Sequence, residues 1–404
     1  MSAPTSGVAN ARTITLVLCL LTALVEGMDL QSMGVAASHI VAQLNLTRSE
    51  LGIALSASPC GLLIGAFIGG RLADVRGRKA ALICSMAVFG VFQIATVQAR
   101  GAVSLGVIRF LCGVGLGGAL PNLIALTAEA NAGRDSLFNV VITAAAMPFG
   151  GAIAACIGIL SEHWVLLFYV GGLLPLGLAA LMAVRLPEST LFLNNAAISP
   201  TAPVMPTVSA LLEKSHRVQT WLLWVSFLGT TLVLYALVNY LPLLMLARGF
   251  TLQQSLIIQI VFNLGSAVGS VGFAWIILWA GHRWVLSACY IGLMLSLLVF
   301  SVQLNDVVFV SAIAAVVGAC VVGAQFILYG VAPGHYPTLV RGTGIGAAVA
   351  AGRLGGILGP LVTSEILASG TPATLVLLRL LPVVAAVAVA ASRLTLMRRN
   401  YLAD

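Results

Sequence analysis

Apolar residues run along this chain in stretches of about 20, separated by short polar segments, from one end to the other. Twelve stretches stand out, at roughly 13–37, 50–72, 80–99, 103–127, 138–160, 164–184, 220–243, 254–279, 284–303, 307–332, 342–368 and 373–396. A helix of about 20 apolar residues crosses the roughly 30 Å of hydrocarbon in a bilayer. No water reaches that depth, so a spanning backbone must satisfy its own hydrogen bonds, and unbroken apolar runs do so as helices. Thr47-Arg48-Ser49-Glu50 has the form of a capping box opening the second helix. The pattern predicts an all-α membrane protein of 12 transmembrane helices in two pseudo-symmetric six-helix bundles. The first bundle covers 1–184, a polar cytoplasmic linker containing Pro187, Pro200, Pro203 and Pro206 covers 185–219, and the second bundle covers 220–404.

Composition agrees with lipid rather than water as the main solvent. The 404 residues are 60% hydrophobic and only 8% charged, against about a quarter charged in soluble domains. The net charge of +8 reads as membrane orientation and not as nucleic-acid binding. If the N-terminus is cytoplasmic, fourteen Lys and Arg fall in inner segments and only Arg48, Arg100 and Arg248 in outer loops. Both termini are therefore expected on the cytoplasmic side of a bacterial plasma membrane. Arg12 followed by an apolar run has the outline of a signal peptide, but that run contains Glu26 and Asp29 and many spans follow it. It is expected to remain as the first helix. The seven cysteines lie in apolar spans with no CxxC pair, so neither a disulfide framework nor a metal site is expected. Neither lysine completes a Walker A motif, and HExxH and GxSxG are absent, which argues against a pump, an enzyme and a cofactor.

A few polar residues inside the spans carry the chemistry. Glu26 and Asp29 stand three apart on one face of the first helix. A carboxylate at mid-membrane costs about 2.5–3.5 kcal/mol to insert, so two on one face require a cationic partner, a water-filled cavity or a proton relay. Proton coupling through Asp29 and Glu26 is the favoured reading, with a structural ion pair to an arginine as the alternative. Arg353, mid-span in the eleventh helix, suits bidentate binding of a substrate carboxylate or internal pairing with those acids. Arg109 in the fourth helix is a second candidate of the same kind, with structural pairing equally open. Asn122, Tyr235, Asn239, Gln325 and Tyr329 could read a substrate, Tyr235 sharing a face with Asn239 and Gln325 with Tyr329. The segment Gly70–Lys79 joins acid and clustered bases in a tight connection, with Gly70, Asp74, Arg76, Gly77 and Arg78 as gating residues. Gly272, 202 residues after Gly70, lies close to a degenerate second copy that lacks the acid. Duplicated halves place a substrate site near the bilayer midplane. Gly113-Val114-Gly115-Leu116-Gly117-Gly118 satisfies GxGxxG but lies inside an apolar span, which excludes a dinucleotide fingerprint. Gly61, Gly65 and Gly69, and Gly352 with Gly356, make smooth stripes on which the halves are expected to slide.

The segment at 70–79 resembles the hallmark loop of the major facilitator superfamily, and the resemblance goes further. Glu-Gly-Met-Asp at 26–29, the run 109–122, Leu-Pro-Glu-Ser at 186–189, Arg-Gly-Thr-Gly-Ile-Gly at 341–346 and 352–360 are similar to aromatic acid:proton symporters. The first helix is most similar to that of 3-(3-hydroxyphenyl)propionate transporters. The resemblance implies the major facilitator fold and symport of a small aromatic carboxylate with protons, by a monomer in the bilayer. A proton-driven drug exporter is the competing reading. Exporters of that kind carry a Gly-Pro motif in helix five, where this chain has Pro148-Phe149-Gly150.

Overall fold

Long apolar runs leave the backbone no external hydrogen-bond partner in lipid, and the described residues answer almost entirely with helices. The computed structural model describes residues 6–130, 136–161, 163–188, 211–213 and 216–397. The first unit, Met1–Thr201, holds α1 (Ser6–Leu44), α2 (Arg48–Arg76), α3 (Arg78–Ala95), α4 (Ala102–Ala130), α5 (Ser136–Leu160) and α6 (Trp164–Arg185). The second, Ala202–Asp404, holds α7 (Arg217–Ala247), α8 (Leu252–Ala280), α9 (His282–Phe300), α10 (Val307–Val331) and α11 (Thr338–Ala368). Its last span, α12 (Ala373–Leu396), passes through a tight turn at Leu378–Leu380. There is no strand among the described residues. Among the described residues eleven helices are long and apolar enough to cross a membrane, and Ala145–Leu160 of α5 adds a shorter apolar stretch. Much of the linker expected at 185–219, together with Arg134, Lys214, Arg398 and Arg399, lies outside the described residues.

Both units use one packing plan. In the first, α2 lies along α4, α1 lies along α5, and α3 sits between α4 and α6. In the second, α8 lies along α10, α7 along α11, and α9 between α10 and α12. The register of the repeat can be read from matched devices. The Thr47/Glu50 capping box, with Glu50 N donating to Thr47 Oγ1 at 3.3 Å and Thr47 N to Glu50 Oε2 at 2.8 Å, opens α2. Thr251 and Gln254, 204 residues later, open α8 in the same way at 3.2 and 2.9 Å. Gly77 and Gly281, also 204 apart, are the single positive-φ joints between α2 and α3 and between α8 and α9. This register replaces the 202-residue echo of Gly70 and Gly272. It also corrects the reading of 70–79 as a loop: α2 continues through Arg76 and α3 starts at Arg78, so the connection is Gly77 alone.

The glycine stripes are seams inside each unit, not faces left free for sliding. A Cβ at Gly61, Gly65 or Gly69 would overlap the backbone of Phe110, Val114 or Gly118 on α4, and one at Gly113 or Gly117 the backbone of Ser58 or Leu62 on α2. In the second unit Gly265 meets Ala315, and Gly352 faces Phe227 and Thr231 of α7. Without a hydrophobic driving force between helices in lipid, close backbone approach through small residues is what holds them together. The dense core behind these seams includes Leu18, Met86, Phe89, Leu116 and Met182.

Candidate functional site

A buried ion pair joins α1 to α4 in the interior of the first unit. Arg109 and Asp29 are bonded side by side, Nη1 to Oδ1 at 2.9 Å and Nη2 to Oδ2 at 3.1 Å, with side chains 2% and 0% exposed. The ion pair left open by the sequence is formed, and its arginine is Arg109. Two further residues, which sequence reasoning missed, complete the cluster. Gln93 of α3, fully buried, accepts from Arg109 Nη1 at 2.6 Å. The Cys112 thiol, one turn along α4, lies 3.4 Å from Gln93 Oε1 and 3.9 Å from Asp29 Oδ1. Glu26, one turn from Asp29, is also buried. Close packing of α1 positions this face: a Cβ at Gly27 would overlap the backbone of Met147 on α5. Such a pair is a stored charge separation. A proton on Asp29 abolishes the attraction and leaves a guanidinium that cannot lose its own proton.

Asn122, on the same helix, has another task. Its Nδ2 donates to Gly118 O at 2.9 Å and Gly69 O at 3.4 Å, stitching α4 to α2.

The remaining polar candidates belong to the second unit, where α7, α10 and α11 bring several of them together. Thr231 Oγ1 donates to Gln325 Oε1 at 3.1 Å. Tyr329 meets Phe227 edge to face, ring centroids 5.1 Å apart, and remains 41% exposed. The half-buried Tyr235 ring rests against Gly356, one turn along α11 from the half-buried Arg353. Asn239 donates to Tyr235 O at 2.8 Å. Thr231 and Phe227 escaped notice in the sequence because neither is unusual in a span. An aromatic edge, an amide, a hydroxyl and a guanidinium along adjacent helices make a surface that suits a flat ring bearing an anion.

The joint between α2 and α3 is a third centre. Gly77 adopts φ +91°, and a Cβ there would strike the Glu188 carboxylate. Glu188 Oε1 accepts from Lys79 N at 3.1 Å, so the acid of Leu186-Pro187-Glu188 sits at the positive end of α3. Asp74 and Glu188 both act electrostatically on Arg78. Two motifs more than a hundred residues apart thus meet at one turn. Gly70 and Arg76 take no part in the contacts described at this joint, and a Cβ at Gly70 would meet nothing within 4 Å.

Comparison with known proteins places this architecture. Residues 19–360 match the model of the Major Facilitator Superfamily. The chain is 38% identical to the 3-(3-hydroxy-phenyl)propionate transporter of Escherichia coli (strain K12), over 92% of this chain and 91% of that one. It is 30% identical to the gallate transporter of Pseudomonas putida, over 90% and 87% of the two chains. Among solved structures, that of the nucleoside transporter NupG superposes with a TM-score of 0.78 over 95% of this chain and 99% of its own, at 15% identity, which speaks to fold alone.

Proposed function

This chain belongs to the Major Facilitator Superfamily, and from that premise we propose that it is a secondary transporter importing a small aromatic carboxylate, of the 3-(3-hydroxyphenyl)propionate type, in symport with protons. The observation that carries the coupling is the buried Asp29–Arg109 pair. A charge pair sunk in apolar surroundings is expensive to keep and is weak evidence of a stability role, whereas a proton-driven carrier needs a carboxylate whose neutralisation changes the protein. That two relatives are transporters of 3-(3-hydroxyphenyl)propionate and of gallate supports the substrate class.

In this mechanism the two units divide the work. Asp29, with Glu26 beside it, takes the proton in the first unit, and the positive charge of Arg109 is left uncompensated, so that its field attracts the substrate's anion. In the second unit Arg353 receives the carboxylate, while Tyr235 and Tyr329 pack the ring and Asn239 and Gln325 read its polar substituents. Neutralising both the acid and the substrate lowers the electrostatic cost of the conformational exchange. The joint of Asp74, Gly77, Arg78 and Glu188 acts as a gate at the end of α2. Positive charge concentrated in alternate loops supports an orientation with both termini in the cytoplasm.

Uptake of radiolabelled 3-(3-hydroxyphenyl)propionate into proteoliposomes tests this reading. An inward proton gradient should drive accumulation, a protonophore should abolish it, and related aromatic acids should compete. Proton-driven movement of cationic dyes with no uptake of the acid would replace the proposal with an exporter.

A further inference from the structure

We propose that Gln93 is a positioning residue for coupling: a neutral acceptor that keeps the Arg109 guanidinium in place when Asp29 carries its proton. The inference rests on the proton-coupling reading of Asp29 given above.

The geometry separates what Asp29 does from what Gln93 does. Arg109 Nη1 carries two hydrogens, and two oxygen acceptors face it, Asp29 Oδ1 at 2.9 Å and Gln93 Oε1 at 2.6 Å, with the weakly accepting Cys112 sulfur farther off at 3.5 Å. Nη2 reaches Asp29 Oδ2 at 3.1 Å, while Nε has no hydrogen-bond partner among the described residues. Gln93 therefore does not compete with Asp29 for a hydrogen. Protonation removes the negative charge from Asp29 and turns one of its oxygens into a donor. The guanidinium remains charged and buried, and a buried cation stripped of its acceptors is costly. Gln93 Oε1 is the acceptor whose character does not change with pH. Packing confines its other end: Nε2 makes no hydrogen bond among the described residues and lies against Gly171 of α6, where a Cβ would stand 3.0 Å from it. An amide suits this task better than a second acid, which would itself bind the proton.

The groups facing Asp29 are few. Glu26 stands on the same helix, and α4 contributes Arg109 and Cys112. The titratable residues of the other helices packed on α1 are Arg48, Glu50, Cys60, Arg71, Asp74 and Arg76 on α2, Cys156 on α5, and Tyr169 and Arg185 on α6; α3 adds Arg78, Lys79 and Cys84. Gln93 acts within this set as the fixed dipole.

A double-mutant cycle decides the matter, with Asp29→Asn imitating the neutral acid and Gln93→Met keeping the length of the side chain without its acceptor. Gln93→Met alone should lower the melting temperature of the purified protein by about 2–4 °C. In the Asp29→Asn background it should lower it at least twice as far, and substrate counterflow should be lost with it. Equal decrements in the two backgrounds would overturn the proposal, since a packing role is indifferent to the charge at position 29. If Asp29→Asn/Gln93→Met does not reach the membrane, Asp29→Asn/Gln93→Glu decides: a carboxylate returned to Arg109 from α3 should restore the melting temperature, and failure to do so would also overturn it. Proton-driven uptake by Gln93→Met should fall off at an external pH about one unit lower than in the wild type, a tenfold change in proton occupancy. An unmoved profile counts against the role. The underlying premise fails separately, if Asp29→Asn retains protonophore-sensitive accumulation.

Discussion

Removing Asp29 and removing Arg109 should have unequal consequences, and the difference should depend on pH. Both side chains are enclosed, with at most 2% exposure, and joined by two charge-assisted hydrogen bonds. Deleting one member of a buried pair typically costs about 3–5 kcal/mol, because the other charge is left without compensation. In Asp29→Leu the stranded group is a guanidinium that cannot deprotonate, and Gln93 satisfies only one of its hydrogens. In Arg109→Leu the stranded group is a carboxylate, which can escape by taking up a proton. For a carboxylate of ordinary acidity that uptake costs about 4 kcal/mol at pH 7 and about 1.5 kcal/mol at pH 5, at 1.36 kcal/mol per unit. The deficit of Arg109→Leu should therefore shrink by about 2.7 kcal/mol between pH 7 and pH 5, and that of Asp29→Leu should remain. In melting temperature this is roughly 5–10 °C of recovery for one variant relative to wild type at the same pH, and none for the other. Thermal unfolding of the detergent-purified proteins at the two pH values measures it. Equal deficits at both pH values, or wild-type melting of Asp29→Leu, would refute the reasoning.

Other consequences follow from the packing and the loops. Gly65→Leu, which forces a side chain into the backbone of Val114, should abolish folded protein in the membrane, while Gly70→Ala should melt within about 0.5 kcal/mol of wild type; yield and melting temperature compare the two. Gly77→Ala should cost about 1–2 kcal/mol from its left-handed backbone alone and slow transport further by displacing Glu188. Glu188→Gln should cost less, about 0.3–1 kcal/mol, which thermal melting and initial uptake rates together resolve. Burial holds the phenol of Tyr336 above its ordinary 10.0, with its bond to Thr220 pulling the other way. An acid whose folded value is raised contributes stability below its unfolded value and loses it as pH rises through the folded one. The melting temperature should thus hold up to about pH 10 and fall beyond it, and Tyr336→Phe should cost about 1 kcal/mol at neutral pH and weaken the alkaline fall.

Much of the fold was legible because hydrophobic length is itself the constraint: a run long enough to cross must be a helix. The ends were less legible. α1 occupies Ser6–Leu44 where the apolar run covers 13–37, since a helix continues past hydrocarbon as long as its residues permit. The glycine stripes announced close approach without naming the partner, and the partner proved to be a helix of the same unit. In the site, Asp29 and Arg109 were conspicuous as charges out of place. Their pairing was not, because 80 residues separate them and only the packing of α1 against α4 unites them. Gln93 was less visible still. A single amide in an apolar helix has many uses, and this one is defined by the guanidinium of another helix.

The repeat itself distinguishes charge that folds the protein from charge that serves another end. Helices α1, α2 and α3 map onto α7, α8 and α9 with an offset of 204. Gly150 packs on Leu24 and Met28 as Gly355 packs on Leu228 and Leu232, and Gly65 packs on Val114 as Gly269 packs on Ala319, which sets the offset of α4 to α10 at 205. Asp29, Gln93 and Arg109 thus correspond to Val233, Leu297 and Ala314, all three buried. The same helix arrangement is stable in the second unit with apolar residues at every position of the cluster. Writing those residues into the first unit, as Asp29→Val, Gln93→Leu and Arg109→Ala together, should leave a folded protein. No charge is then stranded, and the loss is the cavity left by the guanidinium, of the order of 2–4 kcal/mol, set against relief of the buried pair's desolvation. The triple variant should melt at least as high as Asp29→Leu alone, remain in the membrane, and show no response of uptake to a proton gradient. If it unfolds while the second unit's equivalent positions tolerate the same residues, the cluster is structural and the coupling role must be sought at Glu26. If it folds and still accumulates substrate against a protonophore-sensitive gradient, the proton travels elsewhere.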